Sequence, residues 1–593
     1  MRTVHSTSAR TNPTAGNPTA GNPTATEPTA NPAAAHRTAH ATEVLVVGAG
    51  PVGLALAIGL ARAGVACRVI EREPRFRDRG VRGKGVNPRT LEVFDDLGVV
   101  DAILDRGTLD LKVRTYDGSR LLGEVDAAPG NRPTPDRPYA GMLLLGQHHT
   151  EEVLRARLAD FGVTVETGTE LVDHTQDADG VLATVRRDGR TEQLGARYLV
   201  GCDGGRSAVR KLAGIPFLGE TWEEERFLMA SMEVDGLDTG AMHLWNDPLL
   251  GVGALAMIPM AADATWAVHA SVGQDEHGEI PAPTAETFRR LFAERAGLPG
   301  VTLHEPTWST VWRPTVRMVE RYRDGRVLLA GDAAHCHSAA GGQGMNTGIQ
   351  DAHNLSWKLA AVLRGAPGIL LDSYQDERLP VARAVLAATS AQHKALFSAD
   401  GARALTAQFV NPAATGSDFT GLSVGYRGGP LGRDLDDTTG IRAGDRAPDA
   451  PCTLADGTPT RLFDLLRGPH STLLTIGEHP ALTGLPTEAG ARAVPGPPAT
   501  GPLTAAGLTA VTGLRRAAVL DPDGHIARAY GLRGDAVVLV RPDGYVALTG
   551  ATADPGTVTH PGTGTGTGTH PDSGTGTGPG AGAGRPGGYA PVA

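Results

Sequence analysis

Residues 43–73, EVLVVGAGPVGLALAIGLARAGVACRVIERE, decide the fold. Glu43 to Val47 is a short apolar run with the length and β-branched content of a buried strand. GAGPVG follows at 48–53, and LALAIGLARAG then reads as an apolar helix ending near Gly64. A second strand, VACRVIERE, brings Glu71 to its C-terminal end, 71 − 53 = 18 residues beyond Gly53. That is close to the roughly 20 residues expected for an acid that holds a ribose. In such a unit Gly48 permits the tight turn, Gly50 lets the backbone approach a pyrophosphate, and Gly53 allows helix and strand to pack closely. Strand, turn, helix, second strand and acid together predict dinucleotide binding on an α/β fold.

Outward from this unit, RGKGVNPRTLEVFDDLG (82–98) predicts a helix with Asn87 as N-cap, Pro88 at its first position and Gly98 at its end. Arg82 and Lys84 precede it in a glycine-flexible loop, where they either reach a ligand or remain solvated. Around 143–161 the strand LLLGQ, with Gln147 at its end, leads to a helix in which Thr150 reads as the cap. RYLVGCDGGRSAVRKLAG (197–214) is another strand entering a loop, with Asp203, Gly204, Ser207 and Arg210. RVLLAGDAAHCHSAAGGQGMNTGIQDAHNL (326–355) repeats the theme: a strand stopped at Gly331-Asp332, a glycine-rich loop, then a helix that Asn346 opens. A strand-end carboxylate beside a glycine-lined helix start suits sugar hydroxyls and anionic groups. His335, Cys336 and His337 alternate sides of an extended loop, so no metal site is expected there.

From about 217 to 320 the character changes. FLMASMEV, VGALAMIPM and TWAVHASV have strand lengths and composition, with one helix from Thr284 to Gly297 between later segments. This block predicts a separate sheet able to hold a substrate against the cofactor domain. His243, Trp245 and His269 either line its pocket or pack within it. Residues 441–550 alternate strands with one helix, and DPDG and RPDG read as hairpin turns.

Composition narrows the function. The 593 residues carry a net charge of −10 without a basic run, which excludes a nucleic-acid footprint. The apolar uncharged run Val44 to Ala61 is broken by the glycine turn, so no membrane span is expected. No apolar segment at the N-terminus resembles a secretory signal. Four scattered cysteines without a CxxC pair suit a reduced cytoplasm. NPTA repeats at the start and Gly/Thr/Pro runs at the end cannot bury enough apolar surface to order themselves. The domain limits that follow are tails at 1–41 and 553–593, a cofactor domain at 42–216 and 321–410, a sheet domain at 217–320, a linker at 411–440 and a last unit at 441–552.

GAGPVG with Glu71, CDGGRSAVRK, and Gly331-Asp332 through GGQGMNTGIQDAHNLSWK together resemble the FAD-dependent aromatic hydroxylases. These are single-component flavoprotein monooxygenases, and the likeness lies in the polyketide, pentachlorophenol and rifampicin branch, over roughly residues 43–550. The resemblance implies a Rossmann-like FAD-binding domain, an inserted substrate sheet and a thioredoxin-like C-terminal domain, redox-silent for want of CxxC. It implies that Gly48, Gly50, Pro51, Val52 and Gly53 approach the FAD pyrophosphate and that Glu71, with Arg72 beside it, serves the adenosine end. Arg82 and Gln147 would contact FAD, Asp203 would serve FAD and NAD(P)H, and Asp332 the ribityl and pyrophosphate groups. Gly344, Met345 and Asn346 would lie by the isoalloxazine ring.

The implied reaction uses NADPH or NADH to reduce FAD, forms a flavin hydroperoxide with O₂, and hydroxylates an electron-rich aromatic ring; no catalytic side chain stands out. Baeyer–Villiger or antibiotic-modifying oxygenation, and a flavin-binding regulator that has lost oxygenation, stay open. A homodimer is a further expectation, with 441–550 dispensable for chemistry but supporting dimerisation or stability. Ala339 stands where the family usually has Pro, loosening the loop at 338–346 that would gate the flavin.

Overall fold

The structure is a computed structural model. It describes residues 41–76, 83–109, 111–126, 132–222, 226–245, 254–274, 277–337, 342–396, 420–437, 439–477 and 512–551. The two tails (all but Ala41), Arg82, Ala339 and linker residues 411–419 and 438 lie outside the described residues.

Thr42–Val47 is buried almost throughout, as a strand covered on both faces must be, and lies inside an eight-stranded sheet. Cys67–Ile70 and Arg190–Gly201 flank it in parallel, Val165–Glu166 extends one side, and Val327–Leu329 and Arg323–Asp324 extend the other. The first half of Arg190–Gly201 leaves the parallel core to pair antiparallel with Val181–Arg187, which pairs Thr169–Gln176. The helix Pro51–Arg62 runs so close to the long helix Gln343–Leu363 that a Cβ at Gly59 would collide with the Ser356 hydroxyl. Three loops leave the same sheet edge together. Gly48 N–H donates to Ile70 O (2.8 Å), Cys202 N–H to Val47 O (2.8 Å) and Ala330 N–H to Gly201 O (3.0 Å). That edge is where open α/β sheets bind ligands.

The second sheet has seven strands, in the order Trp308–Trp312, Arg226–Met232, Thr265–Val272, Leu255–Met260, Ala241–Trp245, Lys112–Asp117 and Arg120–Asp126. It is larger than the segment 217–320 suggested. The hairpin 112–126 joins it through parallel pairing of Lys112–Asp117 with Ala241–Trp245, a long-range contact with no local signal. The helix Ala285–Ala296, capped by Thr284 and ended by Gly297, covers one face through Phe288, Leu291 and Phe292. A short three-stranded sheet ties Leu218–Thr221 and Thr315–Met318 to His335–Cys336.

Residues 433–551 form a further seven-stranded sheet. RPDG (541–544) makes the expected hairpin between Ala536–Val540 and Val546–Ala551. DPDG (521–524) does not: Gly524, in the left-handed region at φ 68°, opens the helix His525–Tyr530. The unit also holds a second short helix, Leu462–Leu466.

Asn87, Pro88 and Gly98 bound their helix as expected, and the Asn87 side chain accepts from Thr90 N–H. Two other starts differ. The helix expected to be capped at Thr150 is Gln147–Asp160, behind Gly146, so Gln147 is its first residue and not the end of a strand. The long helix begins at Gln343, behind Gly342, and not at Asn346. A glycine N-cap has no side-chain acceptor, so side-chain capping rules pass over both. Among the described residues no helix is long and apolar enough to cross a membrane.

Candidate functional site

Gly48 adopts φ 102°, and a Cβ there would stand 2.5 Å from Cys202 O. A Cβ at Gly53 would run into the Gly48 carbonyl, so the turn needs both glycines. Around Gly50 the space is open, with nothing within 4 Å of its Cβ position. Pro51 begins the helix without an N–H to satisfy, and Val52 packs onto Gly331 and Gly348. Glu71 is fixed by the turn itself: one carboxylate oxygen accepts from Ala49 N–H and the other from Glu73 N–H, both at 3.0 Å. Arg72 is exposed, 3.6 Å from Glu73. An open cradle at a helix N-terminus, with an acid locked beside it, fits the diphosphate and ribose of a dinucleotide.

The second loop is built around Asp203. Its carboxylate accepts from the Ser207 hydroxyl and from Ala208 N–H (2.6 Å) and Val209 N–H (3.1 Å). Burial raises its pKa against the pull of those hydrogen bonds. With its oxygens engaged this way, Asp203 shapes the turn. Arg210 then clamps that turn to the third loop, donating to Gly205 O and Ala333 O at 2.9 Å each.

Asp332 is exposed in the turn Gly331–Ala333, its carboxylate oxygen 4.0 Å from the Cβ position of Gly344 at the start of the long helix. Beneath it Asp351 accepts from Gly331 N–H (3.1 Å) and Arg378 Nε (2.7 Å), and lies 2.7 Å from His335 Nε2. Burial alone would raise the Asp351 carboxyl, yet Arg378 and His335 pull it below its ordinary value. His335 is thus held inward while His337 faces Gly344. The sequence does not single out Asp351 and Arg378, which stand among other polar and charged residues on their helices.

The loop at 83–87 and the start of the long helix are stitched together. Asn346 accepts from Asn87 N–H (2.9 Å) and donates to Gly85 O (3.0 Å) and Gly342 O (2.8 Å). Met345 lies against Gly83. Gln147 accepts from Gly83 N–H at 3.3 Å and donates to Glu151 at 2.7 Å, while its own N–H donates to Gly83 O. So Gln147, Met345 and Asn346 meet on one loop, and Asn346 acts by fastening it.

This loop looks onto the second sheet. Trp266, Val268, Ala270 and Val272 pack under the covering helix, so Ala267 and His269 point the other way. Ile258, Met260 and Ala267 meet Leu144 and Met242 on that side. His243 and Trp245 belong to the helix side, where His243 hydrogen-bonds Tyr116 (2.9 Å) and Asp238 O (2.8 Å) and Trp245 Nε1 donates to Gly118 O (3.0 Å). Of the three residues singled out, only His269 faces the loop, with its Nε2 2.6 Å from Lys84 Nζ. Elsewhere His148 and His149 converge on one oxygen of Asp263 at 3.1 and 2.8 Å, clasping the helix Gln147–Asp160 to the sheet.

Three loops on one sheet edge, an open cradle and a second sheet set against them define a dinucleotide-binding α/β protein with a ligand face of its own. The chain belongs to the FAD-dependent aromatic monooxygenases: the FAD binding domain family matches residues 41–389. A flavin-dependent monooxygenase of Mycobacteroides abscessus is 43% identical over 439 residues, covering 73% of this chain and 88% of the relative. Among solved structures, the anhydrotetracycline hydroxylase of Streptomyces rimosus superposes with TM-score 0.66 at 32% identity, covering 86% of this chain and 96% of that one. Aklavinone-11 hydroxylase, in a ternary complex with FAD and aklavinone, gives TM-score 0.69 at 29% identity, covering 87% and 97%.

Proposed function

We propose that the protein uses FAD, NADPH or NADH, and O₂ to hydroxylate a phenolic or polyketide-type aromatic ring. One observation carries the reading: the loop 83–87, fastened to the helix start at Gln343–Asn346, faces the apolar, helix-free side of the seven-stranded sheet. A flat apolar ring suits that side, and the hydroxylase solved with FAD and aklavinone supports the choice. When bound, the flavin takes reducing equivalents from the nicotinamide and supplies oxygen activation. The chain's own residues bind, orient and exclude water. In this reading Gly48, Gly50, Pro51, Val52 and Gly53 hold the pyrophosphate, and Glu71 and Arg72 the adenosine end. Asp203 acts through the turn it shapes, Asp332 meets ribityl or pyrophosphate oxygens, and Arg82, Gln147 and Gly344 to Asn346 border the ring. The unit 441–552 is thioredoxin-like and redox-silent; burial pushes the thiol of Cys452, its one cysteine, up to about 11. With its cysteines free, we place the protein in the cytoplasm.

The test is anaerobic mixing with NADPH. The flavin should bleach slowly alone and much faster with a suitable phenol, and Ala339→Pro should widen the contrast by stiffening the loop. Under air, the product should carry one added oxygen, and ring-opening or lactone masses would mark a Baeyer–Villiger course instead. A bleaching rate unmoved by every phenol of a broad panel would leave a flavin-binding regulator as the better reading.

A further inference from the structure

Lys84 has a fixed backbone and a reaching side chain. Gly85–Val86 pairs with Leu143–Leu144, and Leu145 N–H donates to Lys84 O at 2.9 Å. From that anchor the amine crosses to the second sheet and meets His269 Nε2 at 2.6 Å. His269 stands directly across from Met229 on one neighbouring strand and Ala256 on the other. The two nitrogens therefore meet beside the apolar side chains of Met229, Ala256 and Ala267. Two nitrogens this close share one proton, since both cannot point a hydrogen at each other. Among the described residues no carboxylate forms an ion pair with either.

Burial pushes the Lys84 amine down to about 7. His269 falls well below its ordinary value through burial and then through the Lys84 charge. A cation buried without a carboxylate is unfavourable, and an incoming anion relieves it. Arg378, by contrast, already has such a partner in Asp351 at 2.7 Å.

We propose that Lys84, supported by His269, is the receptor for the ionised hydroxyl of the substrate. The site would thus select phenols and enols over their ethers. The substrate O–H bond breaks, its proton goes to the neutral Lys84 amine, and the ring oxygen keeps the electron pair. The resulting ammonium donates to the phenolate and to His269 Nε2. A phenolate arriving already ionised, at an already protonated Lys84, reaches the same complex. The charge left on the ring oxygen enriches its ortho and para carbons, the positions an electrophilic oxygen attacks. This inference rests on the hydroxylase reading and names the substrate feature it selects.

The probe is alizarin, a polycyclic phenol whose ionised form absorbs at longer wavelength than flavin, with its dimethyl ether as the non-ionisable control. The full FAD-loaded chain is titrated across neutral pH. Bound alizarin should show the ionised band at a pH where free alizarin does not, and the ether should bind at least tenfold more weakly. Lys84→Met should lose the band and weaken alizarin roughly ten- to a hundredfold. Lys84→Arg should retain it, and His269→Gln should shift the ionisation to higher pH. FAD content checks the folding of each variant, and His269→Gln alone suffices if Lys84→Met fails that check. Binding as the neutral phenol, equal affinity for the ether, no alizarin binding, or a band unchanged in the variants would each overturn the inference. NADPH-driven bleaching with other phenols would still hold the hydroxylase reading in those cases, and its loss would remove that reading separately.

Discussion

Two lysines of this protein have amines lowered by burial, and they differ in what surrounds them. Lys358, in the long helix, is fully buried, with its amine 2.7 Å from Glu377. Arg541 bridges Glu377 (2.6 and 2.9 Å) and Asp543, and Asn354 donates to both carboxylates. Arg89 continues the network to Glu92 and Asp543 O, and Arg446 closes it on Glu92 at 3.0 Å. Among the described residues Lys84 has an imidazole and no carboxylate. Burial lowers both amines, to about 8 and about 7, but at Lys358 the Glu377 carboxylate opposes the fall. A closed charge network serves the architecture, because each member needs the others to remain charged in the interior. An open one leaves a demand that a ligand can meet. The difference separates structural from functional charge among residues that look alike in the sequence.

The largest effect should come from opening the closed network. Removing the chain from Ala443 onward strips Arg541, Asp543 and Arg446 from Glu377, Asn354, Arg89 and Glu92. Breaking one buried pair costs about 3–5 kcal/mol, and two such losses rival the roughly 5–15 kcal/mol that holds a domain together. The truncated chain should not yield a folded, FAD-loaded protein. This goes further than the expectation that 441–550 is dispensable for chemistry and supports dimerisation or stability, and recovery of a stable yellow truncation would restore that milder expectation. Arg541→Met should act in the same direction within the full chain. Burial would raise the Glu377 carboxyl, but Arg541 and Lys358 hold it down to about 2. Its contribution is therefore present above the unfolded value near ~4.3 and lost as pH falls from there toward 2. Unfolding by denaturant should show that acid loss in the wild type and much less of it in the variant.

Why the network was not legible in the sequence follows from its make-up. Glu92, Lys358, Glu377 and Arg541 come from four separated segments, and each alone reads as a solvated helix or turn charge. The long helix shows the same problem. Its apolar stripe at Ile349, Ala352, Leu355 and Leu359 was readable, but every residue from Asn346 to Val362 is buried, polar ones included. GAGPVG and Glu71 were readable because their chemistry is local: a turn, a helix start and an acid within thirty residues. Asn87 and Thr284 announced their helices by side-chain caps, whereas Gly146 and Gly342 could not. The hairpin 112–126 depends on a partner more than a hundred residues away, so the extent of the second sheet had to come from structure.

At the cofactor loops the expected losses are in affinity. Asp332 is exposed and beside the helix start, so Asp332→Ala should leave the fold intact. It should weaken FAD retention by about 1.5–3 kcal/mol, roughly ten- to a hundredfold, through a lost charge-assisted hydrogen bond. Flavin release measured by fluorescence checks this, and unchanged affinity would remove Asp332 from the cofactor site.

A pH experiment compares the two lysines directly. A lysine whose folded pKa lies below its unfolded value near ~10.4 binds fewer protons when folded, so stability rises with pH between the two values. For Lys84 the window runs from about 7 to about 10. The wild type should gain on Lys84→Met across it, on the order of 1–2 kcal/mol because Lys84 keeps some exposure. A flat difference between the two proteins would mean that Lys84 has a charge partner after all.

The smallest effect sharpens the contrast between the faces of one sheet. His243 and His269 are both partly polar interruptions of apolar strands, and nothing in the sequence distinguishes them. Trp245 and Trp266 flank His243 on the helix side, where Tyr116 and Asp238 O complete its hydrogen bonds. Burial lowers its pKa, so it stays neutral at pH 7 and makes no demand for an anion. His243→Phe keeps the stacking volume but takes the imidazole partner from the Asp238 carbonyl and one of its hydrogen bonds from the Tyr116 hydroxyl. The expected cost is about 1–2 kcal/mol of stability, read as a lower denaturation midpoint with an unchanged slope. Phenol-stimulated flavin reduction should not change, because the side chain never reaches the face that His269 and Lys84 share. A phenol response that falls with His243→Phe while stability holds would place the ligand on the wrong side of this sheet, and the assignment of its two faces with it.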